Sequence, residues 1–337
     1  MSTTQPERFS GRRAFGYHDL VSTKSSLPQF DVRRIMRNRP LESLILRHHQ
    51  VGRMIKLAGL TGCTALIWPR FVAPYRWRLT RYAMPLRNLG PEFEGYRLLH
   101  LTDLHTGQTS QKYLQRVLAH TPAWRPDLIV ITGDLIEYRP TSLAKLEVLL
   151  RLLRAPDGVA ATFGNHDYHE YSWRHVGARS AHRSIHKQLR RLLARHHVEC
   201  LCNRSLAIRR GSSCLRIVGL DELWAGRCDP KTAFDQVEAG EPCICLQHNP
   251  DGLPLLRDYS WQWMLCGHTH GGQVDLPFVG PLFVPVENRR WLRGIFEFPD
   301  SHGNVRRMFV SHGLGAGTPV RVRVPPEATL FTLRRAE

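Results

Sequence analysis

The stretch DLIVITGDLIE, residues 127–137, is a run of apolar, mostly β-branched side chains that stops abruptly at Gly133-Asp134. An unbroken apolar run of this length, with no polar alternation, is what a strand buried on both faces requires. Four further runs have the same form. YRLLHLTDLHTGQ (96–108) ends in Asp103-Leu104-His105, and GVAATFGNHDYH (158–169) ends in Gly164-Asn165-His166-Asp167. PCICLQHNPD (242–251) ends in His248-Asn249, and WQWMLCGHTH (261–270) ends in His268-Thr269-His270. Helical patterns lie between several of them, such as Gln111–His120 and Ser142–Leu153. Strands alternating with helices indicate an α/β fold, in which sites form beyond the carboxyl ends of the strands. One Asp-x-His or Gly-Asp after a strand reads as a turn. Five such endings, all offering His, Asp or Asn, read as one convergent site.

His268 and His270 are two residues apart, so on an extended segment both rings face one side. Neutral imidazole is the commonest metal ligand. The set of carboxylates, imidazoles and an amide oxygen suits Mn, Fe or Zn better than Ca. The eight cysteines include two C-x-C pairs inside apolar runs and no C-x-x-C pair. A structural zinc site of the usual spacing is therefore not expected, and buried free thiols are, as in a reducing compartment.

The net charge of +18 is unevenly placed. Residues 1–90 carry 16 Lys/Arg against 4 Asp/Glu, and the remainder 31 against 25. Residues 1–40, rich in Ser, Thr, Pro and Arg, read as a flexible basic lead. Within 41–90, the uncharged stretch Leu57–Pro69 is too short for a confident spanning helix, which needs about 20 apolar residues. Its flanks hold Arg53, Lys56, Arg70, Arg76, Arg78 and Arg81, with Trp68, Tyr75 and Trp77 at one end. Basic residues with interfacial aromatics suit a membrane-surface anchor on an anionic bilayer, and no nucleic-acid-binding motif is present. The expected organisation is 1–40, 41–90 as a membrane-association segment, and an enzyme domain over 91–337.

The ordered set D-x-H, G-D, G-N-H-D, an isolated His after a strand and G-H-T-H resembles the calcineurin-like binuclear metallophosphoesterase superfamily, from about Tyr96 onward. HNPD, GHTHGGQ and SHGLGAGTPVRVRVPPE resemble its membrane-associated bacterial branch, which includes one class of UDP-2,3-diacylglucosamine pyrophosphatase, an enzyme of lipid A synthesis. The resemblance implies a four-layer sandwich of two mixed β-sheets flanked by helices. It implies that Asp103, His105 and His270 hold one divalent metal ion, that Asn165, His248 and His268 hold a second, and that Asp134 bridges both, with Mn favoured. Two metals ~4 Å apart would activate a shared hydroxide and clamp phosphoryl oxygens. His166 would be the general acid, and Asp167 would orient its imidazole unless it merely caps a helix.

Two positions depart from the branch: Glu137 stands where a second Asp is usual after Gly133-Asp134, and His312 stands where Arg commonly follows Ser. Arg321 or Arg323 could compensate for the latter. The implied activity is hydrolysis of a phosphate ester or pyrophosphate, lipid-linked substrates included, at the cytoplasmic face of a membrane by a peripheral or monotopic protein. Hydrolysis of some other phosphodiester, or a membrane-bound binding protein with a vestigial site, are the alternatives. Arg179–Val198 reads as an amphipathic basic helix. DLPFVGPLFVPV (275–286) reads either as a core hairpin or as apolar residues flanking a lipid substrate.

Overall fold

The five apolar runs are strands, and the reason is visible in how they divide their side chains. A computed structural model describes residues 67–137, 141–168, 185–300 and 303–336. The lead 1–40, most of the apolar stretch 57–69 and the start of the helix expected over 179–198 lie outside the described residues.

The strands are β1 (Arg78–Leu86), β2 (Arg97–Leu101), β3 (Leu128–Thr132), β4 (Val159–Thr162), β5 (Val198–Cys200), β6 (Arg204–Arg210), β7 (Ser213–Gly219), β8 (Cys243–Leu246), β9 (Trp263–Cys266), β10 (Asp275–Leu276), β11 (Gly280–Pro281), β12 (Gly294–Pro299), β13 (Val305–Val310) and β14 (Glu327–Arg335). One sheet has the order β1-β14-β2-β3-β4-β5, and a second has β12-β13-β9-β8-β7-β6. Both are mixed: β2 to β5 run parallel with β14 antiparallel to β2, and β7, β8, β9 and β13 run parallel with antiparallel β6 and β12 at the edges.

Alternate residues of β3 go to opposite cores. Leu128 and Val130 pack between the sheets, whereas Ile129 and Ile131 pack under helices. In β8, Ile244 and Leu246 face the inter-sheet core, and Cys243 and Cys245 face the outer side. Each central strand thus has two apolar faces, which is why its sequence is apolar throughout. The helices α1 (Gln111–Leu118), α2 (Thr121–Trp124), α3 (Thr141–Leu150), α4 (Asn165–Tyr168) and α5 (Ile185–Arg195) follow strands of the first sheet, and α6 (Pro230–Ala233) follows β7. The amphipathic reading of the basic segment holds over α5, where Ile185, Leu189, Leu192 and Leu193 are buried. The outer face of the second sheet is covered by Phe234, Leu256 and Trp261 from α6 and short helical turns. The result is the four-layer arrangement.

The sheet starts earlier in the chain than residue 91. Arg78–Leu86, inside the stretch expected to serve membrane association, is β1, paired in parallel with β14 over nine residues. Two of the three aromatics read as interfacial anchors belong to the fold: Trp77 packs 5.5 Å from Trp124, and Tyr75 5.4 Å from Tyr113. Trp68 is half exposed. Among the described residues, no helix is long and apolar enough to cross a membrane. The seven cysteines from Cys200 to Cys266 are all free.

Phe331 on β14 joins the halves of the inter-sheet core, with ring centroids 5.2 Å from Phe309 and 5.7 Å from Trp263. Phe331→Ala is expected to lower stability by ~3–5 kcal/mol, the usual cost of deleting a fully buried aromatic ring. Denaturant unfolding would read this as a lower midpoint at unchanged slope.

Candidate metal centre

The carboxyl ends of β2, β3, β4, β8 and β9 converge from the two sheets, and the loops that leave them carry nearly every polar group singled out in the sequence. Five of the candidate ligands in these loops have left-handed backbone: Asp103 (φ 54°), His105 (44°), Asp134 (51°), His268 (69°) and His270 (51°). Each such residue costs on the order of 1–2 kcal/mol, and such strain clusters where side chains must be aimed. Neighbouring strand ends hold it in place. Asp103 N–H donates to Gly133 O at 3.1 Å, His105 N–H to Asp134 O at 2.9 Å, and Gly267 N–H to His248 O at 3.0 Å. A Cβ on Gly133 would meet Gly164 N and His248 Nδ1, both at 2.6 Å, so no side chain fits between the two loops.

The side chains form two abutting clusters. Asp103, His105 and His270 bring ligand atoms within 4.8 Å of one another, and so do Asp134, His248 and His268. Asp134 belongs to both groups in practice: its Oδ2 lies 3.5 Å from His105 Nε2 and 3.3 Å from His248 Nε2. Its Oδ1 accepts the His166 N–H at 3.0 Å, which fixes the carboxylate plane. Asn165 Oδ1 is 3.0 Å from His268 Nδ1.

The hydrogen-bond partners behind the rings identify the ligand atoms. A carbonyl only accepts, so His248 Nδ1, 2.7 Å from Thr132 O, carries a hydrogen, and Nε2 is the nitrogen turned to Asp134. His268 Nε2 donates to Pro285 O at 3.0 Å, which leaves the Nδ1 lone pair facing the Asn165 oxygen. Burial, with His248 beside it, holds the His268 imidazole down at about 3, so Nδ1 stays unprotonated. Burial, with His105 beside it, likewise keeps His270 neutral. Burial alone would lower His248, but the Asp134 carboxylate outweighs it and pushes the ring up to about 10. Imidazole nitrogens and carboxylate oxygens thus face one another across a buried space, an arrangement that a cation in place of the shared proton would also make favourable. The donor set fits two divalent ions.

Glu137 takes the place beside the His166 ring that the sequence reading gave to Asp167. Glu137 Oε1 accepts from His105 Nδ1 at 2.8 Å and lies 3.1 Å from His166 Nδ1. Burial would raise this carboxyl, but the two imidazoles hold it down at about 2. Both oxygens of Asp167 instead accept backbone N–H groups, from Gly164 (2.9 Å), Ile136 (3.1 Å) and Leu135 (3.3 Å). Asp167 ties the loop after β3 to α4, and the carboxylate beside the His166 ring is Glu137. The longer Glu side chain spans both imidazoles. Glu137→Ala is expected to weaken metal affinity by about 10–100-fold, since oriented ligands lose their support. Metal titration followed by calorimetry would show it, with occupancy restored at higher metal concentration.

His166 is the most open of these groups. Its side chain is 19% exposed, against at most 6% for His105, Asp134, His248 and His270. Its Nε2 is 4.0 Å from Asp134 Oδ2, so it borders the shared oxygen from the solvent side. His312 is turned away: Nδ1 bonds Pro325 O at 3.0 Å, and its backbone N–H bonds Glu327. Arg321 does not replace it in contacting substrate. Fully buried, it donates to the carbonyls of His312, Gly313, Gly315 and Val324, and so fixes the loop after β13. Arg323 is exposed.

Sequence reasoning missed two neighbours. The Tyr168 hydroxyl donates to Asp221 at 2.7 Å, linking α4 to the end of β7 in the other sheet. Trp224 stands edge-on to His268 with centroids 4.5 Å apart and forms part of the rim. Neither carries a local signal, because both depend on contacts between distant loops.

Residues 96–272 match the family described as Calcineurin-like phosphoesterase. UDP-2,3-diacylglucosamine pyrophosphatase LpxG of Chlamydia muridarum is 30% identical over 327 residues, covering 83% of this chain and 97% of that protein. Phosphodiesterase YaeI of Escherichia coli K12 is 32% identical over 240 residues, covering 71% and 82%. An uncharacterized metallophosphoesterase of Bacillus subtilis 168, YkuE, is 29% identical and covers 79% and 89%.

Proposed function

Because the chain belongs to the calcineurin-like phosphoesterase family and is a metal-dependent phosphoesterase, we propose that it hydrolyses the pyrophosphate of a lipid-linked nucleotide sugar, with UDP-2,3-diacylglucosamine as the leading candidate and Mn²⁺ as the favoured metal. The observation that carries the phosphoesterase reading is the single Asp134 oxygen within 3.5 Å of one histidine from each cluster. A carboxylate oxygen so placed could serve two ions, which would suit in-line displacement at phosphorus.

Asp103, His105 and His270 would hold one ion, and Asn165, His248 and His268 the other. When bound, the pair supplies positive charge at the phosphoryl oxygens and acidifies water. The chain's own groups do the rest. Asp134 fixes the spacing between the clusters. Glu137 holds His105 with Nε2 inward. His166, at the open side of the centre with Glu137 3.1 Å from its Nδ1, would donate a proton to the leaving-group oxygen as the P–O bond breaks.

The lipid-linked substrate is supported by the 30% identity to the pyrophosphatase over nearly its whole length. It is also supported by the apolar residues beside the site described below. A position on the cytoplasmic face of a membrane belongs to the same reading. A second reading, a phosphodiesterase of another substrate, is favoured by the 32% identity to the Escherichia coli protein over 240 residues. Purified protein with added Mn²⁺ would be offered UDP-2,3-diacylglucosamine, UDP-N-acetylglucosamine and bis(p-nitrophenyl) phosphate. The expected result is release of UMP and 2,3-diacylglucosamine 1-phosphate, far faster than any cleavage of the deacylated sugar. Equal rates on both sugars, or cleavage of the simple diester alone, would remove this substrate and leave the phosphodiesterase.

A further inference from the structure

Immediately after the metal motif, the chain exposes side chains that a water-soluble surface would hide. Strands β10 and β11 form a two-rung hairpin. Phe278 at its tip is 109% exposed and held at φ 65°, and Val279, Leu282 and Phe283 are 69%, 60% and 52% exposed. Ile67, Trp68 and Phe71, in the helical turn before β1, are also half or more exposed. The two groups are attached to adjacent residues of one segment. Arg321 N–H donates to Pro69 O at 2.9 Å, while Val322 N–H donates to Gln273 O at 3.0 Å and Val322 O accepts from Asp275 N–H at 3.1 Å. Seven exposed apolar residues are thus carried on two supports that flank one segment, more than single scattered exposures.

The patch is set among arginines. The guanidinium groups of Arg70 and Arg76 lie over Phe71 and Trp68, at 4.9 and 5.4 Å. At the base of the hairpin, a surface cavity of about 320 Å³ is lined by Arg78, Arg293, Arg323 and His312, with Asp275 and Glu327. Arg78 and Arg293 pair with Glu327 and Asp275, but Arg323 is in no ion pair among the described residues. Protruding aromatics and aliphatics with flanking arginines match the layering of a bilayer, acyl chains below and phosphates above. Guanidinium groups around a cavity beside the apolar tip suit lipid phosphates, which they bind bidentately. The hairpin also reaches the metal centre, since Pro285, which follows it, accepts the His268 Nε2–H.

We propose that this face docks the protein on an anionic lipid bilayer, with Phe278 and Val279 inserted and Arg323 on the lipid phosphates, so that the metal centre opens at headgroup level. The proposal deepens the lipid-linked reading of the site and rests on it for purpose, but docking itself needs no turnover.

The test uses the full chain, vesicle flotation, and two lipid compositions: phosphatidylglycerol with phosphatidylethanolamine, and phosphatidylcholine alone. Phe278→Ser/Val279→Ser changes two exposed side chains outside the metal centre. It is expected to cut partitioning onto the anionic vesicles at least about tenfold while cleavage of bis(p-nitrophenyl) phosphate in solution stays unchanged. Arg323→Gln is expected to weaken binding to the anionic vesicles by roughly fivefold and leave binding to phosphatidylcholine unaltered. Residues 1–66 are present in every protein compared, so the differences report on the hairpin. Flotation of the double variant at the wild-type level would overturn the proposal. So would equal binding of wild type to both vesicle types, or loss of self-association in place of loss of vesicle binding. If flotation depends on Phe278 and Val279 but no phosphodiester is cleaved, docking is supported and the hydrolase reading fails by itself.

Discussion

Asp134→Asn is expected to abolish turnover and to reduce bound metal from two ions per chain to one or none, with little change in the fold of the metal-free protein. The reason lies in how the two oxygens are used. Oδ1 accepts the His166 N–H, and an Asn oxygen can do the same. Oδ2, between His105 and His248, would become an NH₂ group whose hydrogens can meet the His248 lone pair at 3.3 Å. The local hydrogen bonding survives, but the anionic oxygen shared by the two clusters is gone. Elemental analysis, unfolding of the metal-free protein and turnover would be measured together. A fully active variant with two bound ions would remove Asp134 from its bridging place.

His166→Ala is expected to keep both metals and lose turnover by roughly 10²–10⁴-fold, the range for a positioned proton donor. His166 stands at the mouth of the centre, its ring 4.6 Å from that of His105 and its Nδ1 3.1 Å from Glu137. A proton donor matters most where the leaving group is a poor one. The loss should therefore be large for an alkyl phosphodiester and much smaller for a p-nitrophenyl ester, whose phenolate departs unaided. An equal loss on both esters, or loss of metal, would assign His166 to ligand support instead.

Much of this was legible in the sequence because local pattern and burial coincide. DLIVITGD reads as a strand with a site at its end because both faces of β3 are buried and the chain must turn inward at Gly133-Asp134. The same holds for the runs ending at His105, Asn165, His248 and His270. What could not be read depends on partners far along the chain. β14 joins β1 and β2, more than 200 residues away, and nothing in Arg78–Leu86 announces a parallel partner there. Trp77 looked interfacial because it is flanked by arginines, but its ring packs with Trp124. Asp167 and Glu137 are both carboxylates near His166, and only the path of the loop decides which one meets backbone amides and which meets imidazoles. Arg321 looked available to substrate, whereas burial and four carbonyls make it a support of the loop after β13.

The central claim is a two-ion centre bridged by Asp134, and electron paramagnetic resonance of the full chain titrated with Mn²⁺ tests it most directly. The account predicts that the first equivalent gives the signal of an isolated ion. The second should replace it with the broadened, multi-line signal of a spin-coupled pair, and Asp134→Asn should lose that coupling. A spectrum of isolated ions at two equivalents, or a second equivalent left in solution, would contradict it.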